Sequence, residues 1–543
     1  MKLVARVTGI FFMAILVLSI GTSVLIPEDY STSHFPRNDT TLSQSVEIEI
    51  GNDSDFIDQG WSGNGTEIDP FVLQNQGLGV SGDTGFIEIR NTSSHFVIRN
   101  CQLLLLDIIF FGVSNGKIEG STLTNCSIIF DSSHDCVLLD NDIFYSTYGY
   151  ENLWLLRTTG CEIRENQFSG GFIGISLEQS NDTTIADNTF IDHTFGAVSG
   201  DFGNTTLINN TFQGTGIKME FWDPRIDDMP PKFINNSVNG KPPGIFFNLV
   251  DAEIDGSDYG QIILARCNET TVVGGSISNC VSGVQLIQSI NCTIDGITIS
   301  DCTWQGITAE WSPRIRIVDS HISNGDEFAI FMSQCPFYFI DNCTIADNLG
   351  GIHPHIYSNN GTIKNCTITR NKPPESEYFQ TVAGLHLSNN ATAIGNTITE
   401  NNVGIIIYGA YCLVIDNVIT YNGYGIYITD TYDGYGEAPY ANRIYGNDIG
   451  WNYMRNAYDN TLNYNQWDDG VSIGNAWSDY YGIGYYEIAR DTYDHFPSFL
   501  PKGGIPLFYI HVGVGIPTSI AIIVALIMVS KRRVGIPDQP SES

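Results

Sequence analysis

At 543 residues the chain is too long for one compact core, so it is either several domains or a one-dimensional stack. Gly (55) is abundant, Pro (20) is modest, and Ile, Val, Thr, Tyr and Phe recur throughout, a mix suited to short strands joined by tight turns. Lys and Arg total 25 against 60 for Asp and Glu, and the formal net charge of −35 repels phosphate backbones and excludes nucleic acid as a partner.

Residues 1–26 open with Lys2 and Arg6 before the apolar run Val7–Ile20, the layout of a secretory signal peptide or an uncleaved signal anchor. Residues 27–94 form an opening segment and N-terminal cap. Between about 95 and 450 a six-residue pattern recurs, apolar-x-x-[Asn/Ser/Cys/Gly]-x-apolar. Its copies include Leu138-x-x-Asn141-x-Ile143, Ile163-x-x-Asn166-x-Phe168, Ile185-x-x-Asn188-x-Phe190 and Ile340-x-x-Cys343-x-Ile345. The anchors are about 22 residues apart, too short for a βαβ unit and long enough for one coil of a β-helix. A second ladder lies half a coil away: Gly174-Ile175-Ser176-Leu177, Gly283-Val284-Gln285-Leu286, Gly384-Leu385-His386-Leu387 and Gly425-Ile426-Tyr427-Ile428. Period-two alternation points Ser176, Gln285, His386 and Tyr427 outward, and each Gly is expected to mark a corner.

The pattern breaks after Asn236, leaving an excursion near 239–260, and longer steps fall between Cys366 and Asn396 and between Asn417 and Asn447. Residues 451–504 read as a C-terminal cap and stalk. The apolar run 505–529 is long enough for a transmembrane helix, and Lys531-Arg532-Arg533 open a cytoplasmic tail, 530–543. About fifteen Asn-x-Ser/Thr sequons and an even number of cysteines, twelve, suit an extracellular ectodomain held at the cell membrane by a single pass. The expected fold is all-β: a single-stranded right-handed parallel β-helix of about fifteen coils with a C-terminal transmembrane helix.

These repeats resemble the NosD-like, carbohydrate-binding and sugar-hydrolysis group of β-helix proteins, whose fold is shared by pectate lyases and polygalacturonases. Gly63-Asn64-Gly65-Thr66-Glu67-Ile68-Asp69-Pro70-Phe71 is similar to the leading segment of archaeal secreted members. Asn239-Gly240-Lys241-Pro242 with Gly260-Gln261-Ile262-Ile263-Leu264 is similar to their mid-helix excursion, and Gly474-Asn475-Ala476-Trp477-Ser478-Asp479-Tyr480 to their closing segment. The resemblance implies the fold; one fold carries many functions. The Gly-His-Gly and Arg-Ile-Lys runs of polygalacturonases are absent; Asp227-Asp228, Asp468-Asp469 and Arg314-Ile315-Arg316 are the nearest fragments.

Candidate ligand-binding residues are the aromatic and polar side chains that suit a sugar ring: Trp304, Glu310, Trp311, His353, His386 and Tyr427. No catalytic or metal-ligating set is singled out. No cofactor is called for, with calcium the one cation left open, and copper is disfavoured because no Met/His/Cys cluster has ligand spacing. Cys136 with Cys161, Cys280 with Cys302, and Cys343 with Cys366 share a repeat phase on neighbouring coils, as disulfides or as stacked thiols. The expected function is non-catalytic binding of carbohydrate or another envelope component. A polysaccharide lyase or glycoside hydrolase with an atypical acidic site, and a structural spacer or adhesin, are the alternatives.

Overall fold

A computed structural model of the chain describes residues 41–43, 46–80, 85–145, 151–220, 231–355, 357–372, 382–429, 439–461, 465–489 and 491–498. The chain divides into two units, Met1–Thr41 and Leu42–Ser543, and all that follows concerns the second. The expected signal segment, transmembrane helix and tail lie outside the described residues; among those described, no helix is long and apolar enough to cross a membrane.

One coil shows how the sequence becomes structure. Ile173–Glu178, Thr184–Ala186 and Thr189–Ile191 are three short strands. Each pairs in parallel with its copy in the next coil, Ile175 with Val198, Ile185 with Leu207 and Phe190 with Phe212. Alternate residues point inward, so Ile175, Ile185 and Phe190 join continuous buried columns. Phe168, Phe190 and Phe212 stack ring on ring at 5.0 and 5.1 Å, the repeat of the solenoid itself. The helix Asp53–Asp58, opened by the Asn52 capping box, brings Phe56 against Phe71 (4.6 Å) and Phe96 (5.4 Å) at the N-terminal end. This is the expected all-β parallel β-helix.

The anchor asparagines hold the coils in register. Asn166 Oδ1 accepts from both the backbone N–H and the Nδ2 of Asn141, while its own Nδ2 donates to the Leu138 carbonyl and to Asn188 Oδ1. The chain of amides continues through Asn210 to Asn236. Two comparable ladders run through the later coils, Asn396–Asn417–Asn447–Asn475 and Asn348–Asn371–Asn401–Asn422–Asn452. The residue before an anchor sits in the left-handed region, as at Asp140, Asp187 and Asn209, where Asn and Asp are tolerated. The ladder glycines play another part than the expected one. Gly174 and Gly425 have no left-handed φ; they are small because a Cβ would lie 2.5 Å from the Ala197 carbonyl and 2.3 Å from that of Asn456.

Among the described residues the stack is interrupted once. Three sheets of nine, eight and eight strands end at Ser237–Val238, Ile217–Met219 and Lys232–Ile234; sheets of ten, nine and nine strands begin at Pro243–Phe247, Glu253–Asp255 and Ser276–Ser278. At the join, Asn239 and Gly240 both have positive φ and Val238 bridges Lys241 antiparallel, the geometry an Asn-Gly turn favours. The edge strand Ile217–Met219 then lies against the outer face of the ten-stranded sheet. Gln261 accepts from Ile217 N–H (2.9 Å) and donates to its carbonyl (2.8 Å), and Gln285 bonds Ile217 O and Met219 N. Two side-chain amides thus stand in for the missing strand. Gln285 keeps its outward phase yet is 2% exposed, because the earlier stack covers it.

Replacing Asn188 by Ala orphans the Asn166 N–H and the Ile163 carbonyl, at a cost of roughly 2–4 kcal/mol. Hydrogen exchange should show the protection of Gln167–Ser169 and Thr189–Ile191 falling by that amount. Asn188→Ser should lose less, since Ser121 Oγ already fills this role toward Cys101 N–H.

Candidate functional site

The candidate residues fall on or beside the ten-stranded sheet, in separate neighbourhoods. Trp304 and Glu310 belong to the first, in the corner where the two stacks meet. The Trp304 ring lies 4.9 Å from Phe195, which stacks on Phe172 at 4.7 Å. Lys218, 6% exposed, sets its Nζ 3.5 Å from the Phe195 ring centroid, 5.1 Å from that of Trp304 and 4.0 Å from Glu220. Burial lowers the Lys218 pKa, and the carboxylates of Glu220, Glu310 and Glu327 pull the other way. Burial raises the Glu310 carboxyl, partly offset by Lys218, and pushes Glu327 up to about 7 with help from Asp326. Neither Lys218 nor Glu220 was legible as a neighbour of Glu310, since only the break at 238–243 brings the first stack onto this sheet.

His353 and His386 occupy equivalent outward positions on neighbouring strands. Their rings stack at 4.4 Å and 25°, with Phe328 4.5 Å from His353 and Tyr408 6.4 Å from His386. Both are buried, and burial followed by the charges of His386 and His355 holds the His353 pKa well below the usual imidazole range. Tyr427 is also buried, stacked on Tyr458 at 4.8 Å and packed with Ala383, Val403 and Ile406.

Trp311 stands apart on the corner beyond the same sheet, 53% exposed. With Pro313, Gln334, Pro336 and Tyr357 it lines a shallow groove of about 350 Å³. Tyr357 is 70% exposed, and Phe337, which follows Pro336 in the chain, lies under the Arg314 guanidinium at 5.9 Å. Trp311, Gln334 and Tyr357 succeed one another at 23-residue steps, one per coil. That step is the one that spaces Ser320, Cys343 and Cys366, so extending it from Trp311 was the available signal for Tyr357. A second groove of about 290 Å³, between Gln74, Arg99, Glu119 and Asp140, has no aromatic wall.

The six phased cysteines meet pairwise as buried thiols. Cys280 and Cys302 have their sulfurs 3.8 Å apart, and Cys136 hydrogen-bonds Cys161 as Cys343 does Cys366. They are part of the inner columns. Among the described residues no three of His, Cys, Asp and Glu are placed to hold a metal ion.

Comparison with known proteins gives this architecture a family. The family model described as "Periplasmic copper-binding protein (NosD)" matches residues 46–242, 213–373 and 269–482. The chain belongs to this family. Among curated proteins no relative matches. Three solved β-helix structures are alike at low identity. A mutant of the periplasmic alginate epimerase AlgG is 13% identical over 70% of this chain and 76% of its own, with a TM-score of 0.33. The Azotobacter vinelandii mannuronan C-5 epimerase AlgE6 A-module is 14% identical over 64% and 90%, with a TM-score of 0.23. A tailspike double mutant of E. coli bacteriophage HK620, in complex with pentasaccharide, is 10% identical over 68% and 70%, with a TM-score of 0.27. At such scores the likenesses decide nothing about this member of the NosD family.

Because the Glu327 carboxyl is raised from 4.5 to about 7, the folded state holds that proton more tightly than the unfolded chain does. Its contribution to stability is therefore full below about pH 4.5, declines as pH rises through 7, and is flat above. Thermal unfolding of Glu327→Gln should lack this decline and exceed wild type by roughly 2–3 kcal/mol at pH 8.

Proposed function

We propose that this NosD-family protein is a membrane-anchored extracellular β-helix that binds carbohydrate at the Trp311–Tyr357 groove without cleaving it. The observation that carries the reading is the pair of exposed rings on a rigid corner two coils apart, with the Gln334 amide between them. Aromatic faces stack on the C–H faces of pyranose rings, and an amide takes the hydroxyls. Coils repeat at about 4.8 Å, close to the length of one sugar unit, so a glycan lying along the solenoid axis meets equivalent positions at each step. The net charge of −35 disfavours polyanionic glycans, which makes neutral chains the expected ligand. The apolar run 505–529 and the sequons support the anchored, outward-facing placement.

Copper, which the family's description carries, does not fit the described donors. His353 and His386 stack face to face instead of converging their nitrogens, and the cysteines lie in the dry inner columns. The second reading, a polysaccharide lyase or hydrolase, is favoured by one observation: Lys218, Glu310 and Glu327 come together beside Trp304, with a carboxyl of pKa about 7 among them. Their burial in the join makes them first a clamp between the stacks.

The full-length chain in detergent, tested against neutral and acidic polysaccharides, should retain neutral chains and release no new chain ends, with calcium or with chelator. Trp311→Ala and Tyr357→Ala should each weaken retention about tenfold, roughly 1.4 kcal/mol. Calcium-dependent chain cleavage that Glu327→Gln abolishes would replace this reading with the catalytic one.

A further inference from the structure

The last coil carries a concentration of exposed apolar side chains. Exposed large apolar side chains gather in its loops, with Tyr453 before the final strand of the ten-stranded sheet, Val471 and Ile473 in the next loop, and Tyr481, Ile483 and Tyr485 in the one after. Tyr481 and Ile483 are 85% and 89% exposed.

These side chains are held out by the backbone beneath them. Asp469 Oδ1 accepts from the N–H groups of Val471, Ser472 and Ile473 at 2.7–2.8 Å, which fixes the loop with Val471 pointing away. In the following loop Tyr480 donates to the Gly484 carbonyl (2.6 Å), and Gly482 and Gly484 take φ of 82° and 78°, values suited to glycine. Tyr486 closes that loop by stacking on the buried Trp477 at 4.0 Å. A rigid Tyr-Gly-Ile-Gly-Tyr tip that leaves its apolar groups in water forgoes burial worth about 1.5–3 kcal/mol for the isoleucine alone.

The chain itself indicates what covers this tip. Ser498 donates to the Asn475 carbonyl and accepts from Trp477, so the polypeptide leaves from the last coil, next to these loops. The apolar run begins at Ile505. Residues 499–504 reach at most about 20 Å when fully extended, so once that run is in a bilayer the last coil is held close above it. Tyrosine and aliphatic side chains are the residues that partition into the headgroup boundary.

We propose that the C-terminal cap is a lipid-contacting surface, with Tyr481, Ile483 and Tyr485 entering the outer boundary of the same bilayer that receives the apolar run. The inference rests on the anchored reading given above. Glu487 and Asp491 are exposed on the same end and Asp469 is half-buried there, so anionic lipid is disfavoured, and on a zwitterionic bilayer the contact is apolar and insensitive to salt. It would set the solenoid at a fixed angle to the membrane in place of a freely swinging tether.

The test uses the full-length chain reconstituted into phosphatidylcholine vesicles. All twelve native cysteines are buried, so an environment-sensitive maleimide attaches to one introduced thiol, at Ile483→Cys or, as a distant control, at Glu67→Cys. The label at 483 should shift to the blue and lose most of its emission to spin-labelled lipid, equally at low and high salt, while the label at 67 does neither. A label at Val471→Cys should show a weaker version of the same response, reduced further when Tyr481, Ile483 and Tyr485 are all changed to Ser. A chain that floats with the vesicles but leaves the label at 483 in water overturns the cap proposal and spares the anchor. A chain that does not float overturns both. A blue shift that follows protein concentration instead of lipid would assign the tip to a second copy of the chain and equally overturn it.

Discussion

Buried backbone N–H groups at the turns of the solenoid must find acceptors, and an asparagine amide or a serine hydroxyl of the next coil supplies them. Asn417 shows the full satisfaction this allows: its oxygen accepts from the N–H and Nδ2 of Asn396, and its nitrogen donates to the carbonyls of Ala393 and Ile415 and to Asn447. Each amide needs the one after it, so the arrangement propagates but cannot simply stop. At the C-terminal end the two later ladders, and a short third one from Asn442 to Asn465, each meet a carboxylate. Asn475 bonds Asp494, Asn456 bonds Asp479, and Asn465 bonds Asp459. A carboxylate only accepts, so it can receive the last donors without passing the requirement on. Asp494 also takes the Trp477 indole N–H and the Phe496 N–H, which ties the termination of the ladder to the cap that covers it.

The same rule explains the join between the stacks. Where the first stack ends, the strand Ile217–Met219 presents donors and acceptors with no next coil to meet them. Gln261 and Gln285 meet that need from the outer face of another sheet, and the chain is thereby bent back against itself. Bringing a strand edge onto a sheet face also buries whatever charges the two surfaces carry, which is why Lys218, Glu310 and Glu327 lose water together and shift their proton affinities.

Periodic features of the molecule were open to sequence reading, and features that depend on the join were not. Asn141, Asn166, Asn188 and Asn210 announce their ladder because each repeats the same local demand at the same step. Inward and outward phase could be read for Gln285 and His386 by alternation alone. Their burial could not: Gln285 is covered by the edge strand of the first stack, and His386 is packed among the rings of Phe328, His353 and Tyr408. The pairing of Lys218 with Glu310 is of this kind, dictated by one Asn-Gly turn at 239–240. Trp311 and Tyr357 lie between the two cases: their 23-residue steps are in the sequence, but the exposure that makes them a platform appears only when the corner is built.

This division bears on how a solenoid acquires function. Inner positions are constrained coil by coil, since a change in one column is felt by the coils above and below, and the paired thiols at Cys280 and Cys302 are tolerated there as small apolar groups. Outer corners are constrained only by φ, so rings such as Trp311 and Tyr357 can be set at the coil spacing without disturbing the ladder. On the proposed reading a linear polymer suits such a surface, since its repeat and that of the solenoid run in the same direction. An isolated metal ion needs several donors converging on one point, which demands that neighbouring coils break their own translational symmetry. The stacked, parallel rings of His353 and His386 are what that symmetry produces when it is left intact.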